Sequence, residues 1–201
     1  GGYGVRMTLN QPTATALHRV DFGHRPIADY RTTLVPGMYD EIVDLGRELK
    51  GARVLHLSAT AYGGGVAEIM YTLMPLMQDV GLRPEWAIIH GEDEFFDVTK
   101  LFHNSLQGDE RAPTPEQWAT WEHYPQLNAE RFDPDDYGVV FVHDPQPAGL
   151  AKLHADADTK WAWRCHIDLS TPNPHMLAGL LPWLEPYGVG FFHRDEYVPE
   201  G

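Results

Sequence analysis

Val54-Leu55-His56-Leu57-Ser58-Ala59-Thr60-Ala61-Tyr62-Gly63-Gly64-Gly65-Val66-Ala67-Glu68-Ile69 passes from a short apolar run through three glycines into a helical pattern. It reads as strand, glycine loop and helix N-terminus. Three glycines let the backbone take turns that a side chain forbids, and they leave no Cβ between the chain and a ligand. The amides of Gly64, Gly65 and Val66 fall among the unpaired donors of a first helical turn, at the positive end of the helix dipole. That is a place for an anion such as a phosphate. The loop alone fits a bare turn of an α/β sheet equally well.

Outward from this stretch, strands and helices alternate. Upstream, Met38, Ile42, Leu45 and Leu49 recur at helical spacing between Pro36 and Gly51, and a short strand is expected near 27–34. Downstream, the helix after the loop places Val66, Ile69, Met70, Leu73, Met77 and Val80 on one face, with Pro75 inside it. A second strand is expected over 85–90. Helices follow over 95–106 and 114–129, the latter capped by Thr114. Val139-Val140-Phe141-Val142 is a continuous apolar run, the mark of a buried parallel strand. A short helix over 148–154, a strand over 160–165, a helix over 174–184 and a strand over 189–192 complete the pattern. The alternation predicts an α/β fold, a doubly wound parallel sheet of Rossmann type. Residues 1–35 read as an N-terminal arm and 36–201 as the domain.

Ligands of such sheets lie beyond the carboxyl ends of the strands. Three polar clusters fall there: Ser58 to Gly65, His143 to Gln146, and His166 to Asp168. A histidine at a strand end can hydrogen-bond a sugar hydroxyl or move a proton near neutral pH. Asp144 and Gln146 suit paired hydroxyls, or a proline-braced turn. Arg164 suits an ion pair or a phosphate. Glu68 offsets the helix dipole. The tryptophans suit the core or a sugar face. A metal site from His143, Asp144, His166 and Asp168 lacks any HExxH or paired CxxC spacing, so no metal is expected. A nicotinamide site lacks the full GxGxxG pattern and its acidic ribose partner, so no cofactor is expected.

The 201 residues are 43% hydrophobic and carry a formal net charge of -14, enough for one sizeable domain with its own core. So acidic a surface lacks the basic footprint that nucleic acid or an anionic membrane requires. The single cysteine, Cys165, rules out an intrachain disulfide and suits a cytoplasmic location. Residues 1–6 show no apolar signal-like run, and no stretch approaches the roughly 18 apolar residues of a membrane span.

Taken together, Thr60 to Glu68, Phe95-Phe96-Asp97-Val98-Thr99-Lys100 with Phe102-His103-Asn104, Val142-His143-Asp144-Pro145-Gln146-Pro147, and Trp163-Arg164-Cys165-His166-Ile167-Asp168 with Ser170-Thr171-Pro172-Asn173-Pro174 closely resemble the N-terminal half of the glycosyltransferring trehalose synthases. The retaining trehalose phosphorylases are similar. The resemblance implies a GT-B fold, in which two Rossmann-like domains face a cleft. It also implies transfer of glucose from a nucleoside-diphosphate glucose to glucose, giving α,α-trehalose with retention and without a metal. By the same resemblance Gly63, Gly64 and Gly65 approach the donor. His166 hydrogen-bonds the transferred sugar near the reacting centre, and Asp144, Gln146 and Asp168 hold acceptor hydroxyls. The family's second, donor-binding domain has no counterpart before Gly201. The resemblance therefore predicts little turnover from this chain alone. It leaves a phosphorylase and a non-catalytic sugar-binding module as alternatives. A homodimer, for which the arm before Pro36 is available, fits the family's habit.

Overall fold

The computed structural model describes residues 16–199. What was expected of residues 1–15 and of the last two residues lies outside them. Six strands form one sheet: β1 (His18–Arg19), β2 (Arg53–Ser58), β3 (Arg83–Ile88), β4 (Val139–His143), β5 (Lys160–Arg164) and β6 (Val189–Phe191), in the order β1-β3-β2-β4-β5-β6. All neighbours are parallel except β1, which runs antiparallel to β3 at one edge. The helices are α1 (Met38–Glu48), α2 (Gly65–Asp79), α3 (Asp93–Leu106), α4 (Pro115–Ala129), α5 (Leu150–Leu153) and α6 (Pro174–Leu184). This is the Rossmann-like doubly wound α/β fold that the alternation predicts.

The period of two along each strand assigns the faces. Leu55 and Leu57, Val140 and Val142, and Trp161 and Trp163 point to one side. There they pack with Phe95, Phe102, Trp121, Met176 and Leu180 of α3, α4 and α6 in the larger core. The other side is smaller and partly polar. Trp86 of β3 meets Ala67, Met70 and Met74 of α2. His56, Phe141, Arg164 and Phe191 of β2, β4, β5 and β6 line a cavity of about 400 Å³ beside α2.

Local chemistry explains the helix ends. Thr114 Oγ1 accepts from the Gln117 amide at 3.3 Å while Gln117 Oε1 accepts from the Thr114 amide at 2.9 Å, a reciprocal cap on α4. Asn173 Oδ1 caps α6 by accepting from the amides of His175 and Met176.

Two expectations are corrected. The segment 27–34 is not a strand: Ile27–Tyr30 is a 3-10 helix followed by a turn. The Ile27 amide donates to Asp79 Oδ2 at 2.8 Å, and the amides of Thr33 and Leu34 both turn back to the Tyr30 carbonyl. Those turn bonds take the place of ladder bonds, and the edge strand forms earlier, at His18–Arg19. On α2 the buried stripe is Ala67, Met70, Met74 and Pro75, while Ile69 is 42% exposed. Met70 is buried as expected and Val66, Leu73 and Met77 pack half-buried against the smaller core, while Ile69, Leu73 and Met77 also line the cavity. Among the described residues no helix is long and apolar enough to cross a membrane.

Candidate functional site

The strand order reverses between β2 and β4, because β3 lies on one side of β2 and β4 to β6 on the other. The crevice beyond two such strand ends is where an open α/β sheet takes its ligand. The glycine loop leaves β2 there, and His143 to Gln146 leave β4 beside it. Gly63, Gly64, Gly65, Asp144 and Gln146 line one cavity of about 210 Å³, together with Ser58, Thr60, His103 and His143.

The loop is tethered from below. Trp86 Nε1 donates to Ser58 Oγ at 2.8 Å, and the Tyr62 amide donates to Thr60 Oγ1 at 3.1 Å. Gly63 has φ +69°, and Gly64 has φ +83° with ψ 160°, a region that side chains hardly enter. A Cβ at either would meet nothing within 4 Å. These glycines therefore serve backbone conformation and an open approach, not close packing. Gly64→Ala is expected to cost about 1–3 kcal/mol through backbone strain alone. Thermal denaturation of the chain reads this directly, and an unchanged midpoint would mean the loop has another conformation in solution.

Asp144 is held in a left-handed conformation with φ +64°, the one such non-glycine residue among the described ones. Its amide donates to the Arg164 carbonyl at 2.9 Å, and its carbonyl accepts from Trp163 Nε1 at 3.0 Å. Its Oδ1 accepts from the His166 amide at 2.7 Å. Strain kept in place by three bonds is typical of a functional position. Burial pushes its carboxyl up to about 6, while the His166 amide and Arg164 pull the other way. At neutral pH the side chain is a carboxylate with one oxygen engaged and the other without a partner among the described residues.

His166 does not line this cavity. Its amide is tied to Asp144, but its ring turns toward His143, with His143 Nδ1 and His166 Nε2 2.9 Å apart. The ring lines the neighbouring cavity on the sheet face and not the glycine-loop cavity. Asp168 stands outside both. Its carboxylate is exposed and accepts from the Ser170 amide at 2.8 Å, and the Ser170 hydroxyl followed by that amide holds its pKa below the ordinary value.

Two contributors, His56 and His103, were not singled out from sequence. His56 is buried in β2, with its Nδ1 2.9 Å from His143 Nε2. Its only signal is a polar residue inside an apolar strand. His103 reaches the glycine-loop cavity from α3, and its burial lowers its pKa. Ser58 and Thr60 anchor the loop. Among the described residues no group of three or more His, Cys, Asp or Glu side chains is placed to hold a metal ion.

A family model described as the N-terminal domain of trehalose synthase matches residues 56–199. The chain is 46% identical over 189 residues to the trehalose synthase of Rubrobacter xylanophilus, covering 92% of this chain and 45% of that protein. It is 40% identical over 179 residues to the trehalose synthase of Pyrococcus horikoshii, covering 88% and 42%. The chain thus spans less than half the length of these relatives. Among solved structures, the UDP-forming α,α-trehalose-phosphate synthase of Burkholderia xenovorans, in complex with glucose-6-phosphate, superposes with a TM-score of 0.53 at 14% identity, over 72% of this chain and 41% of that one. The UDP-forming enzyme of Burkholderia vietnamiensis gives a TM-score of 0.51 at 17% identity, over 72% and 40%. At such identities these two show the shared GT-B type of fold alone.

Proposed function

The chain belongs to the trehalose synthase N-terminal domain family, and on that premise we propose that it forms the acceptor-side half of a retaining glycosyltransferase. The reaction is transfer of glucose from a nucleoside-diphosphate glucose to free glucose, giving α,α-trehalose. The observation that carries this reading is the meeting of bare main-chain amides with Asp144 and Gln146 in one cavity at the strand-order reversal.

The roles follow from the chemistry of each group. Gly63, Gly64 and Gly65 let the donor approach the N-terminus of α2, where unpaired amides and the helix dipole favour the developing negative charge of the diphosphate. Asp144 and Gln146 accept from and donate to acceptor hydroxyls, and the carboxylate turns the attacking oxygen toward the anomeric carbon. The departing phosphate oxygen takes the acceptor proton as the new glycosidic bond forms on the same face. No enzyme nucleophile is then required. His166, whose ring lines the neighbouring sheet-face cavity, hydrogen-bonds the transferred sugar only where the sugar reaches that side. Asp168 reaches the acceptor only from the outer rim, since it lies outside the cavity lining.

Among the described residues lining the cavity there is no lysine or arginine. Arg164 acts on Asp144 from outside the lining, and the carboxylate within it disfavours a phosphorylated acceptor, which supports free glucose over a sugar phosphate. On this reading the cations that neutralise the diphosphate come from the family's second, donor-binding domain. The chain alone then binds donor weakly and turns over little. The buried, free Cys165 accords with a cytoplasmic setting.

The test is an assay of the full-length protein carrying this chain, with nucleoside-diphosphate glucose as donor. Trehalose is expected from glucose, with at least tenfold less product from glucose-6-phosphate as acceptor. Product only from the phosphorylated sugar overturns the acceptor assignment. Phosphate-dependent release of glucose 1-phosphate from trehalose would identify a phosphorylase, and no conversion in either direction a sugar-binding module.

A further inference from the structure

The wall of the glycine-loop cavity carries six polar side chains: Ser58, Thr60, His103, His143, Asp144 and Gln146. Most of their hydrogen-bonding capacity is taken up within the protein. Ser58 Oγ accepts from Trp86 Nε1 and donates to the Thr60 carbonyl at 3.3 Å. Thr60 Oγ1 accepts from the Tyr62 amide and donates to the Tyr62 carbonyl at 3.0 Å. His143 engages both ring nitrogens in the line of imidazoles that runs from His56 to His166. Asp144 gives one carboxylate oxygen to the His166 amide.

Three groups are left for a ligand: the second oxygen of Asp144, the amide of Gln146 and the ring of His103. His103 comes from α3, beside the buried stripe of Phe95, Val98, Phe102 and Leu106 that fixes this helix against the larger core. A histidine in the last turn of a helix ordinarily serves the negative end of the dipole as a cation. Here burial lowers its pKa, opposed only by a side-chain hydrogen bond to Gln107, so the ring is neutral at pH 7. A neutral imidazole has one donor and one acceptor nitrogen. Gln107 occupies one of them. The other is not sealed in, since the buried side-chain atoms without a partner among the described residues belong to His56, His154, Trp161 and His166.

We propose that His103 is a specificity-determining residue of this cavity, hydrogen-bonding one hydroxyl of the acceptor sugar while Asp144 and Gln146 hold others. The inference rests on the reading of the cavity as the acceptor site. Its physical reason is the origin of the three groups. Asp144 and Gln146 lie two residues apart on the loop that leaves β4, so a sugar held by them alone can pivot about that loop. His103 reaches the same cavity from a different element, and a third bond from there fixes the sugar's rotation as well as its place. A sugar without a hydroxyl at the right carbon loses that bond and leaves the imidazole nitrogen without a partner, the arrangement by which a polar site rejects a near relative of its substrate.

The experiment is steady-state kinetics of the full-length protein carrying this chain, with glucose and its monodeoxy analogues as acceptors. His103→Ala is expected to raise KM for glucose on the order of tenfold, the loss of one hydrogen bond to a neutral side chain, with KM for the donor unchanged. One monodeoxy analogue, lacking the hydroxyl that His103 holds, should be used equally well by parent and variant. An equal penalty on glucose and on every analogue would mean a structural role alone and overturns the inference, as does a rise confined to the donor. His103→Asn and His103→Gln set an amide near the positions of Nδ1 and Nε2, and one of them is expected to restore most of the affinity; recovery by neither overturns it. Trehalose formed with an unchanged KM for glucose in His103→Ala removes the role of His103 and leaves the function standing. If the protein forms no trehalose, calorimetric binding of glucose decides: weaker binding in His103→Ala sustains His103 without the transfer reaction, and equal binding, or none in either protein, overturns it.

Discussion

Asp144→Asn is expected to remove most of the transfer activity of the full-length protein while making this chain more stable at neutral pH. The two effects share a cause. Asp144 is buried, and folding raises its carboxyl from 3.8 to about 6. A carboxylate whose pKa rises on folding favours the native state only while protonated. Its contribution is complete below pH 3.8 and is lost as pH rises through about 6. Above that, the ionised side chain opposes folding by on the order of 3 kcal/mol. Asparagine carries no charge, keeps an oxygen for the His166 amide and tolerates the left-handed backbone better than most residues. Its NH2 lacks a ready acceptor, so the net gain is expected at about 1–2 kcal/mol. The gap between variant and parent should open between pH 4 and 6 and stay level above pH 7, as urea midpoints at those pH values would show. Activity moves the other way. A hydrogen bond from a hydroxyl to a carboxylate contributes about 1.5–3 kcal/mol, so losing the charge lowers kcat/KM on the order of 100-fold. Asp144→Ala, which also breaks the His166 bond and strains the backbone, should lose both activity and stability. A variant less stable than the parent at pH 7.5, or one fully active, would show that burial of this charge is not what the site is built around.

That trade-off could be read only in part from the chain. The strand–loop–helix at 54–69 fixes its own local geometry, and the apolar runs at 139–142 and 160–165 leave little choice but buried parallel strands. The glycine loop, Asp144 and Gln146 were placeable because each follows a strand, and the rule about carboxyl ends needs only the order of elements. The rest depends on register. His56 pairs in register with Phe141, which sets His143 diagonally beside it. Nothing local to His56 foretells a partner 87 residues away. The orientation of the His166 ring is decided the same way, by a neighbour on β4, so its turning away from the glycine loop was invisible. The left-handed backbone of Asp144 is imposed by Trp163 and Arg164 of the adjacent strand. The segment 27–34 was misplaced because its deciding bond is a tertiary one, from Ile27 to Asp79 on α2.

The same line of histidines should make the fold sensitive to mild acid. His56, His143 and His166 are neutral when folded, with pKa values lowered mainly by burial. Each takes up a proton when the chain unfolds below pH about 6.5. For a base lowered on folding, the stability it supports is complete above the unfolded value and drains away as pH falls toward the folded one. Three such groups give a slope near 4 kcal/mol per pH unit, and protonation of Asp144 between pH 4 and 6 offsets one of them, leaving roughly 2.7. His103 and His154, also lowered by burial, steepen it further. Passing from pH 6.5 to 4.5 then removes about 4–5 kcal/mol, a large part of the roughly 5–15 kcal/mol that holds a domain together. The melting temperature is expected to fall by about 10–20 °C over that interval, with unfolding at room temperature not far below it. His56→Phe keeps the stacking on Phe141 and removes one titrating group, so its slope should be shallower by about 1.4 kcal/mol per pH unit. Calorimetry from pH 7.5 to 4.5 on both proteins measures the two slopes. A melting temperature that stays level in the parent would mean the three rings take up protons in the folded state, and the buried line would have to be open to water.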